Sequence, residues 1–268
     1  MQSSSLIPQA QQRPRLYWVL RDTWELFKRS VIQIQQTPDQ LITGLILQPI
    51  LLTVLFTTVI GGAVTTGEAN YINFLLPSIL VMNAIRASTV TSVSIANDTA
   101  GGMIDRFRSL PMEKSAILGG TILSVAVRCL VSVASSVLVG LLFGFRPQAD
   151  FGAWLAAMGL LLLVSYAFSW LLAILGLLAK SVEGAEQMTG LFWPFFFLSS
   201  TFVPVHTMPG WLQGFANNQP LTQAIDAIRG LLLNHPIGNH AWITVAWCVG
   251  IIVVSVPLTG MLFKRKFS

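Results

Sequence analysis

The sequence predicts an all-α polytopic membrane protein with six transmembrane helices. Of its 268 residues, 53% are hydrophobic and only 10% are charged, and the mean hydropathy is +0.68. A soluble domain has about 25% charged residues, because its surface must face water. Charged residues are also absent from four windows, each longer than the roughly 20 residues that cross a bilayer. These windows are 40–67, 151–179, 187–225 and 230–263.

The apolar stretches place the six helices along the chain. At a rise of about 1.5 Å per residue across a core of about 30 Å, the predicted spans are 41–61, 71–95, 117–142, 153–179, 187–205 and 241–263. They form one six-helix transmembrane domain over 41–263. A cytoplasmic region, 1–40, precedes this domain, and a basic tail, 264–268, follows it.

The lysines and arginines predict the orientation of these spans. Most of them lie in segments that six crossings put on one side of the membrane: 13–29, 106–114, 180 and 264–266. Only Arg146 and Arg229 fall on the other side. Because cytoplasmic loops carry the excess of positive charge, we expect both termini in the cytoplasm. The protein is then a multi-pass protein of the cytoplasmic, or inner, membrane.

An amphipathic helix is predicted on the inner membrane surface before the first span. Apolar side chains recur at steps of three and four residues from Tyr17 to Ile34, and charged side chains occupy the other face. This pattern is typical of an interfacial helix. The helix ends near Thr37, which can cap the next helix with Pro38 at its first position. A regulatory role and a plain membrane anchor are both open for this elbow helix.

The longest outer segment, about 206–240, lies between the fifth and sixth predicted spans. It is too apolar for a free loop, and prolines and glycines interrupt it too often for a straight span. We therefore predict short re-entrant helices in the outer leaflet, whose interrupted backbone must be covered by protein. An interfacial amphipathic helix anchored by Trp211 and Phe215 is the alternative.

The residue pattern offers no catalytic, metal or nucleotide site. The histidines His206, His235 and His240 lack cysteine or acidic neighbours at ligand spacing. Cys129 and Cys248 lie in apolar runs, where a thiol behaves as a small hydrophobe. No lysine follows a glycine, as a phosphate-binding loop requires. We therefore expect a chain that is not an enzyme and that binds neither a metal nor nucleic acid.

Two arginines fall inside predicted spans. An arginine at the centre of a spanning helix raises the free energy of membrane insertion by about 2.5–3.5 kcal/mol. Arg86 is expected to extend along its helix to the inner surface. Arg128 lies near the centre of the third span and begins a strip of small residues at four-residue steps. The strip continues with Ser132, Ser136, Gly140 and Gly144. Because small residues allow a second helix to approach closely, we interpret the strip as a packing surface.

The fifth predicted span is crowded with aromatic side chains around Pro194. A lipid-interface belt or ordinary packing would account for this density. The functional alternative is an aromatic-lined path for an apolar substrate, with Pro194 bending the helix so that it can open. The candidate substrate-path residues are Phe192, Trp193, Phe196 and Arg128.

The cytoplasmic segment between the second and third spans predicts a short helix held at the inner surface. A pair of glycines permits a tight corner, residues 103–110 can form about two helical turns, and a proline ends them. A phenylalanine surrounded by charges suits the groove of a soluble partner, and a solvated connecting turn is the alternative. The candidate coupling residues are Asp98, Gly101, Gly102, Asp105, Arg106, Phe107, Arg108 and Pro111.

Two runs of residues together resemble the permeases of ABC-2-type exporters, in particular the daunorubicin and multidrug resistance branch. The first run contains Asp98, Gly102 and the sequence DRFRSLPM at 105–112. The second contains MPGW at 208–211, NQPLT at 218–222 and AIRG at 227–230. The resemblance covers nearly the whole chain.

This resemblance implies a type-2 ABC exporter fold in which the permease pairs with a second permease copy. A separate ATPase subunit would dock against the elbow helix and the coupling helix. ATP and Mg²⁺ would bind that subunit, and this chain would carry no cofactor. The segment Gly101 to Pro111 would be the coupling element, and the outer gate would include Met208, Pro209, Trp211, Pro220 and Arg229.

The resulting hypothesis is a permease subunit of an ATP-driven exporter. It would move a hydrophobic or amphiphilic substrate, a drug or a lipid, out across the cytoplasmic membrane. Two alternatives remain open: an exporter of a lipid-linked polysaccharide or glycolipid, and an ATP-independent membrane channel or scaffold.

Overall fold

The computed structural model describes residues 47–61, 70–100 and 114–266, which form helices and the turns between them and contain no β-strand. The elbow helix and the segment 101–113 lie outside the described residues. The α-helices in the described ranges are α1 Gln48–Leu55, α2 Tyr71–Ala100, α3 Lys114–Leu142, α4 Phe151–Leu178, α5 Val182–Gly190, α6 Trp193–Phe197, α7 Gly210–Asn218, α8 Pro220–Leu233 and α9 His240–Lys266.

Four of these helices are long and apolar enough to cross a membrane. Their apolar stretches are Tyr71–Thr99 in α2, Ser124–Leu142 in α3, Phe151–Leu178 in α4 and His240–Phe263 in α9. A span of 28 residues, such as that of α4, is about 42 Å long. These helices confirm four of the predicted spans as long apolar helices. The count of six stays a prediction.

The first predicted span, 41–61, is described only from residue 47. There, α1 continues directly into a π-helical turn, Phe56–Ile60, and the apolar stretch of this unit is Ile50–Val59. The beginning of the predicted span lies outside the described residues.

The fifth predicted span is not one continuous helix, so that prediction is wrong. Residues 187–205 are divided between the end of α5, the short helix α6 and a non-helical stretch, 198–204. Proline lacks a backbone N–H and fits best in the first turn of a helix. Pro194 occupies that position in α6, so it begins a new short helix rather than bending a long one.

Side chains from other elements satisfy backbone carbonyls in the non-helical stretch 198–204. The three bonds are Gln219 Nε2 to Leu198 O at 2.5 Å, Arg229 Nη2 to Ser200 O at 3.0 Å and Tyr71 Oη to Phe202 O at 2.9 Å. An unpaired carbonyl in apolar surroundings is costly. These donors explain how an irregular backbone persists inside a membrane protein.

The outer segment forms two short helices, α7 and α8, on either side of Gln219. α8 is largely buried and packs against α2, α4 and α9. α7 is more exposed and carries Trp211 and Phe215 on its surface. The prediction of short helices is confirmed, and their insertion into the outer leaflet stays a prediction.

α2 lies at the centre of the bundle, and its side chains are buried along most of its length. It packs against α3, α4, α5 and α8. Small residues allow this close approach: a Cβ added at Gly176 of α4 would lie 2.5 Å from the backbone oxygen of Ser92. The hydroxyl of Ser88 also donates to the carbonyl of Ser165 across the same interface, at 2.8 Å.

Candidate functional site

The predicted path residues Phe192, Trp193 and Phe196 lie at α6 together with Phe195, and we call these four residues the aromatic cluster. Their ring contacts fall into two groups. Trp193 and Phe196 have ring centroids 5.9 Å apart. Phe192 packs edge-on against Phe168 of α4 at 6.2 Å and lies 6.2 Å from Phe195. The cluster therefore joins the broken segment 187–205 to the long helix α4.

An apolar groove with a volume of about 420 Å³ adjoins this cluster. We call it the aromatic groove. Its walls come from α4, the α6 region, α7, α8 and α9, and its lining residues are Phe168, Leu171, Phe192, Phe195, Phe215, Asn218, Gln219, Pro220, Leu221, Trp247 and Ile251. A concave site lined by aromatic side chains with few polar groups is typical of binding sites for apolar small molecules.

Gln219 is a polar residue in this lining. It was quoted within the run NQPLT but was not predicted to be a site residue. Its side chain is only 5% exposed. Nε2 donates to the carbonyl of Leu198 at 2.5 Å and to the hydroxyl of Thr222 at 3.3 Å. Among the described residues, Oε1 has no hydrogen-bond partner. The position between α7 and α8, directly before Pro220, is the signal that could have singled it out.

Arg229, a predicted gate residue, is the centre of a partly buried polar network. Its guanidinium forms a 2.6 Å ion pair with Asp226 one turn earlier on α8. It also donates to the hydroxyl of Ser78 at 3.2 Å and lies 3.9 Å over the ring of Phe74. Since Ser78 and Phe74 belong to α2, the network joins α8 to the first turns of the central helix.

The other predicted gate residues do not gather around Arg229. Met208 is buried with Val205 before α7, Pro209 is the cap residue of α7, and Trp211 is 82% exposed. Pro220 begins α8 and lines the aromatic groove. The structure thus places one predicted gate residue at the groove and another, Arg229, on the α2 side of α8.

Arg86 lies at the middle of α2 and contacts an aromatic ring; its predicted extension to the inner surface stays a prediction. The residue lies 15 residues after Tyr71 and 14 before Ala100. Roughly 21 Å of helix separate it from either end. Its guanidinium carbon lies 5.9 Å from the ring centroid of Trp193, in a cation–π contact.

Arg128 is not part of the aromatic cluster. It lies at the middle of α3, a helix that packs mainly against α2 and α4. In the described part of the chain, the cation that approaches the cluster is Arg86. A path that includes Arg128 together with the three aromatic residues stays a prediction.

The strip of small residues on α3 is confirmed as a packing surface over most of its length. Ser136 accepts a 2.8 Å hydrogen bond from Asn83 of α2, and a Cβ added at Gly140 would lie 2.5 Å from a methyl carbon of Leu76. Gly144 lies outside the helix, in a turn with φ +92° and no atom within 4 Å of an added Cβ. Gly144 serves the turn rather than the packing.

The predicted coupling residues lie outside the described residues, apart from Asp98 in the last turn of α2. Beside that turn, the ends of α2, α4 and α9 surround a second depression, of about 500 Å³. α5 begins next to it, with Ser181 as its cap accepting from the backbone of Gly184 at 3.1 Å. This end of the bundle therefore offers a concave surface near the predicted coupling element.

Glu183 contributes to the first turn of α5. Its own backbone N–H and the hydroxyl of Ser181 donate to its carboxylate, which lowers the pKa of that carboxyl below its ordinary value. A lowered folded-state pKa stabilises the helix start above the ordinary pKa. That contribution is lost as the pH falls through the lowered value.

Long apolar helices around an aromatic groove define a polytopic membrane permease. The chain belongs to the ABC-2 type transporter family, whose model matches residues 21–233. The resemblance deduced from the two sequence runs is thereby confirmed.

Several curated proteins are similar over most of their length. The chain is 32% identical over 260 residues to the daunorubicin resistance ABC transporter permease protein DrrB1 of Streptomyces coeruleorubidus, covering 96% of this chain and 91% of that protein. It is 28% identical over 223 residues to a probable doxorubicin resistance ABC transporter permease protein, DrrC, of Mycobacterium tuberculosis. This match covers 81% of this chain and 79% of that protein. It is 30% identical over 221 residues to a putative transport permease, ycf38, of Cyanophora paradoxa. This match covers 80% of this chain and 75% of that protein.

Proposed function

We propose that this chain is the permease subunit of an ATP-driven exporter that moves a hydrophobic or amphiphilic substrate out across the cytoplasmic membrane. The observation that carries the proposal is the aromatic groove, since its lining suits an apolar body. The names of two relatives, which refer to resistance to daunorubicin and doxorubicin, point to the same substrate class.

The energy for transport comes from a separate ATPase subunit, which binds ATP and Mg²⁺. Family membership and the concave surface near Asp98 support docking at the inner end of α2 and α4. The residues of this chain that receive the motion are Asp98, Gly101, Gly102, Asp105, Arg106, Phe107, Arg108 and Pro111. A second permease copy and membrane lipid cover the exposed apolar side chains of α3 and α9.

Transport follows from a change in the populations of two arrangements. ATP favours the closed ATPase pair, and a ligand shifts an equilibrium only by its preference between states. The walls of the aromatic groove come from several short elements, including α6, α7 and α8. Small displacements of these elements change the width of the groove while the long helices keep their packing.

Two tryptophans of α9 give a matched test of the groove. Trp247 lines the groove and is 44% exposed, whereas Trp242 on the same helix is 76% exposed. The Trp247→Ala change removes an aromatic wall of the groove. We therefore expect ATP-dependent uptake of a fluorescent phospholipid analogue into inverted proteoliposomes to fall about tenfold, as expected for a binding residue whose truncation costs more than about 1 kcal/mol. Trp242→Ala should leave uptake within about twofold of the parent value.

Equal losses in the two variants would contradict a binding role for the groove. Uptake that proceeds without ATP or without the ATPase subunit would favour the alternative of an ATP-independent channel.

A further inference from the structure

Two arginines lie at the middle of the long helices α2 and α3 without a carboxylate nearby. Arg128 lies 14 residues from each end of α3, as Arg86 does from the near end of α2. α3 contains no acidic residue, and the acid of α2, Asp98, is 12 residues from Arg86, about 18 Å along the axis. Asp226 is already paired with Arg229. The described chain therefore supplies no countercharge to either arginine.

Each of these arginines also has an unused donor. Nη1 of Arg86 and Nε of Arg128 are buried and have no hydrogen-bond partner among the described residues. A buried donor without a partner is rare in a native structure and calls for an explanation. A bound acceptor would supply one for both groups.

The two arginines face the same side of the α2 and α3 pair. The helices are antiparallel and meet along a line marked by the bond from Asn83 to Ser136. At about 100° per residue, Arg86 is turned about 60° from this line on α2. Arg128 is turned about 80° from it on α3. They lie roughly 7 Å apart along the helix axes, since a residue rises about 1.5 Å.

The position of α4 shows to which side of the contact line each arginine is rotated. Ser88 of α2 and Cys129 of α3 are turned the opposite way from the contact line, and both hydrogen-bond Ser165 of α4. Both arginines are therefore turned away from α4. Two guanidinium groups, one on each helix, border the same face.

We infer that Arg86 and Arg128 form a binding site for the phosphate group of an amphiphilic substrate. The inference rests on the proposed export function and specifies its substrate class. Guanidinium groups match phosphate oxygens with strong, charge-assisted hydrogen bonds. A single phosphate bound between the two arginines supplies the missing charge and accepts from both unused donors.

The contact of Arg86 with Trp193 places this site next to the aromatic cluster. Arg86 stacks over Trp193, whose neighbour Phe192 lines the aromatic groove. A phosphate at the arginines therefore places an attached chain beside the aromatic rings. A cationic amphiphile would instead meet two uncompensated positive charges.

The test compares two ligands that differ only in the phosphate. The permease and ATPase complex in nanodiscs is titrated with a short-chain phosphatidic acid and with the diacylglycerol of the same chains. Because charge-assisted bonds to a phosphate are lost with the neutral ligand, we expect phosphatidic acid to bind at least about tenfold more tightly. Arg86→Gln with Arg128→Gln should abolish this difference, and the matching lysine variants, which retain the charge, should keep most of it.

Several results would overturn the inference. They are equal affinities of the two ligands in the parent protein, a phosphate preference that survives both glutamine substitutions, and inorganic phosphate competing as well as phosphatidic acid. Glutamine variants that lose the second permease copy in mass measurements would assign the arginines to an interface between copies instead. Phosphate-dependent binding without ATP-driven transport would refute the proposed function and leave the site intact.

Discussion

At the scale of single residues, Arg229 has the densest set of contacts in the described part of the chain. Its guanidinium pairs with Asp226, donates to the carbonyl of Ser200 and lies over Phe74. Both members of the ion pair are less than a third exposed, at 12% and 26%. Removing the cation therefore leaves a partly buried carboxylate without its partner, which is costly.

We predict that Arg229→Ala lowers the free energy of unfolding by about 2–4 kcal/mol, because it leaves both the Asp226 carboxylate and backbone carbonyls unpaired. Reversible unfolding in mixed micelles measures this change. Arg146→Ala is the control, since Arg146 is exposed and its guanidinium donates to backbone carbonyls of its own turn. A control effect as large as that of Arg229→Ala would contradict the role of the network.

The sequence allowed some residue roles to be predicted and left others out of reach. Arg229 was selected through its motif, but the α2 partners 155 and 151 residues away were not predictable from local spacing. The contact of Arg86 with Trp193 was not predictable, because the two residues are far apart in the sequence. Gln219 was part of the quoted run NQPLT, but its role was not predicted, because a single amide beside a proline does not reveal what its side chain contacts.

At the scale of the helices, close packing of α2 against α4 depends on Gly176. An added Cβ would lie 2.5 Å from a backbone oxygen and 2.9 Å from the Cα of Ser92. Backbone atoms cannot rotate away as a flexible side chain can. The two helices would have to separate along this contact.

We predict that Gly176→Ala lowers the free energy of unfolding by about 1–3 kcal/mol through overpacking. Gly159→Ala on the same helix is the control, because an added Cβ there meets nothing within 4 Å. That change should be neutral or stabilising by up to about 1 kcal/mol, since alanine favours helix more than glycine does. Unfolding of both variants in the same micelles checks the prediction, and it fails if the two changes have the same sign and size.

The helices were predictable from the sequence wherever the length of an apolar run is enough to indicate a continuous helix. The four long helices begin and end close to the predicted spans. The broken segment 187–205 was not predictable in this way, because an apolar run gives the same signal for a straight span and for short helices covered by protein. What distinguishes them is the supply of donors from Tyr71, Gln219 and Arg229, which only the tertiary structure brings together.

At the scale of the whole molecule, the charge distribution predicts the orientation in the membrane, and the two native cysteines make it measurable. Cys129 and Cys248 are 0% and 3% exposed, so an impermeant thiol reagent should find little background. Lys180 and Asn239 are both exposed and fall on opposite predicted faces. Single cysteines at these two positions therefore report the two sides.

We predict that Asn239→Cys reacts with an impermeant maleimide on intact cells, whereas Lys180→Cys reacts only after permeabilisation. The reason is that the positively charged segments remain in the cytoplasm. Gel-shift labelling measures both. The reverse pattern would refute the orientation and with it the assignment of the coupling segment to the cytoplasm.

The composition predicted a helical membrane protein, but it did not predict which helix lies at the centre. A helix that is apolar on all sides shows no preferred face. The position of α2 is instead determined by small side chains on its neighbours, including Gly140 and Gly176. Such contacts are specific to the folded arrangement and leave only a weak trace in the sequence.

The bonds to the carbonyls of residues 198, 200 and 202 have a mechanical consequence. Tyr71 is the first residue of α2. Gln219 directly precedes α8, and Arg229 lies within α8. If the stretch 198–204 moves during transport, there are two cases. Either Tyr71, Gln219 and Arg229 move with it, or their hydrogen bonds to its carbonyls break and are replaced by bonds to water. In the first case, the stretch 198–204, the beginning of α2 and α8 move together as one rigid body. In the second case, water would hydrogen-bond to these carbonyls during each transport cycle.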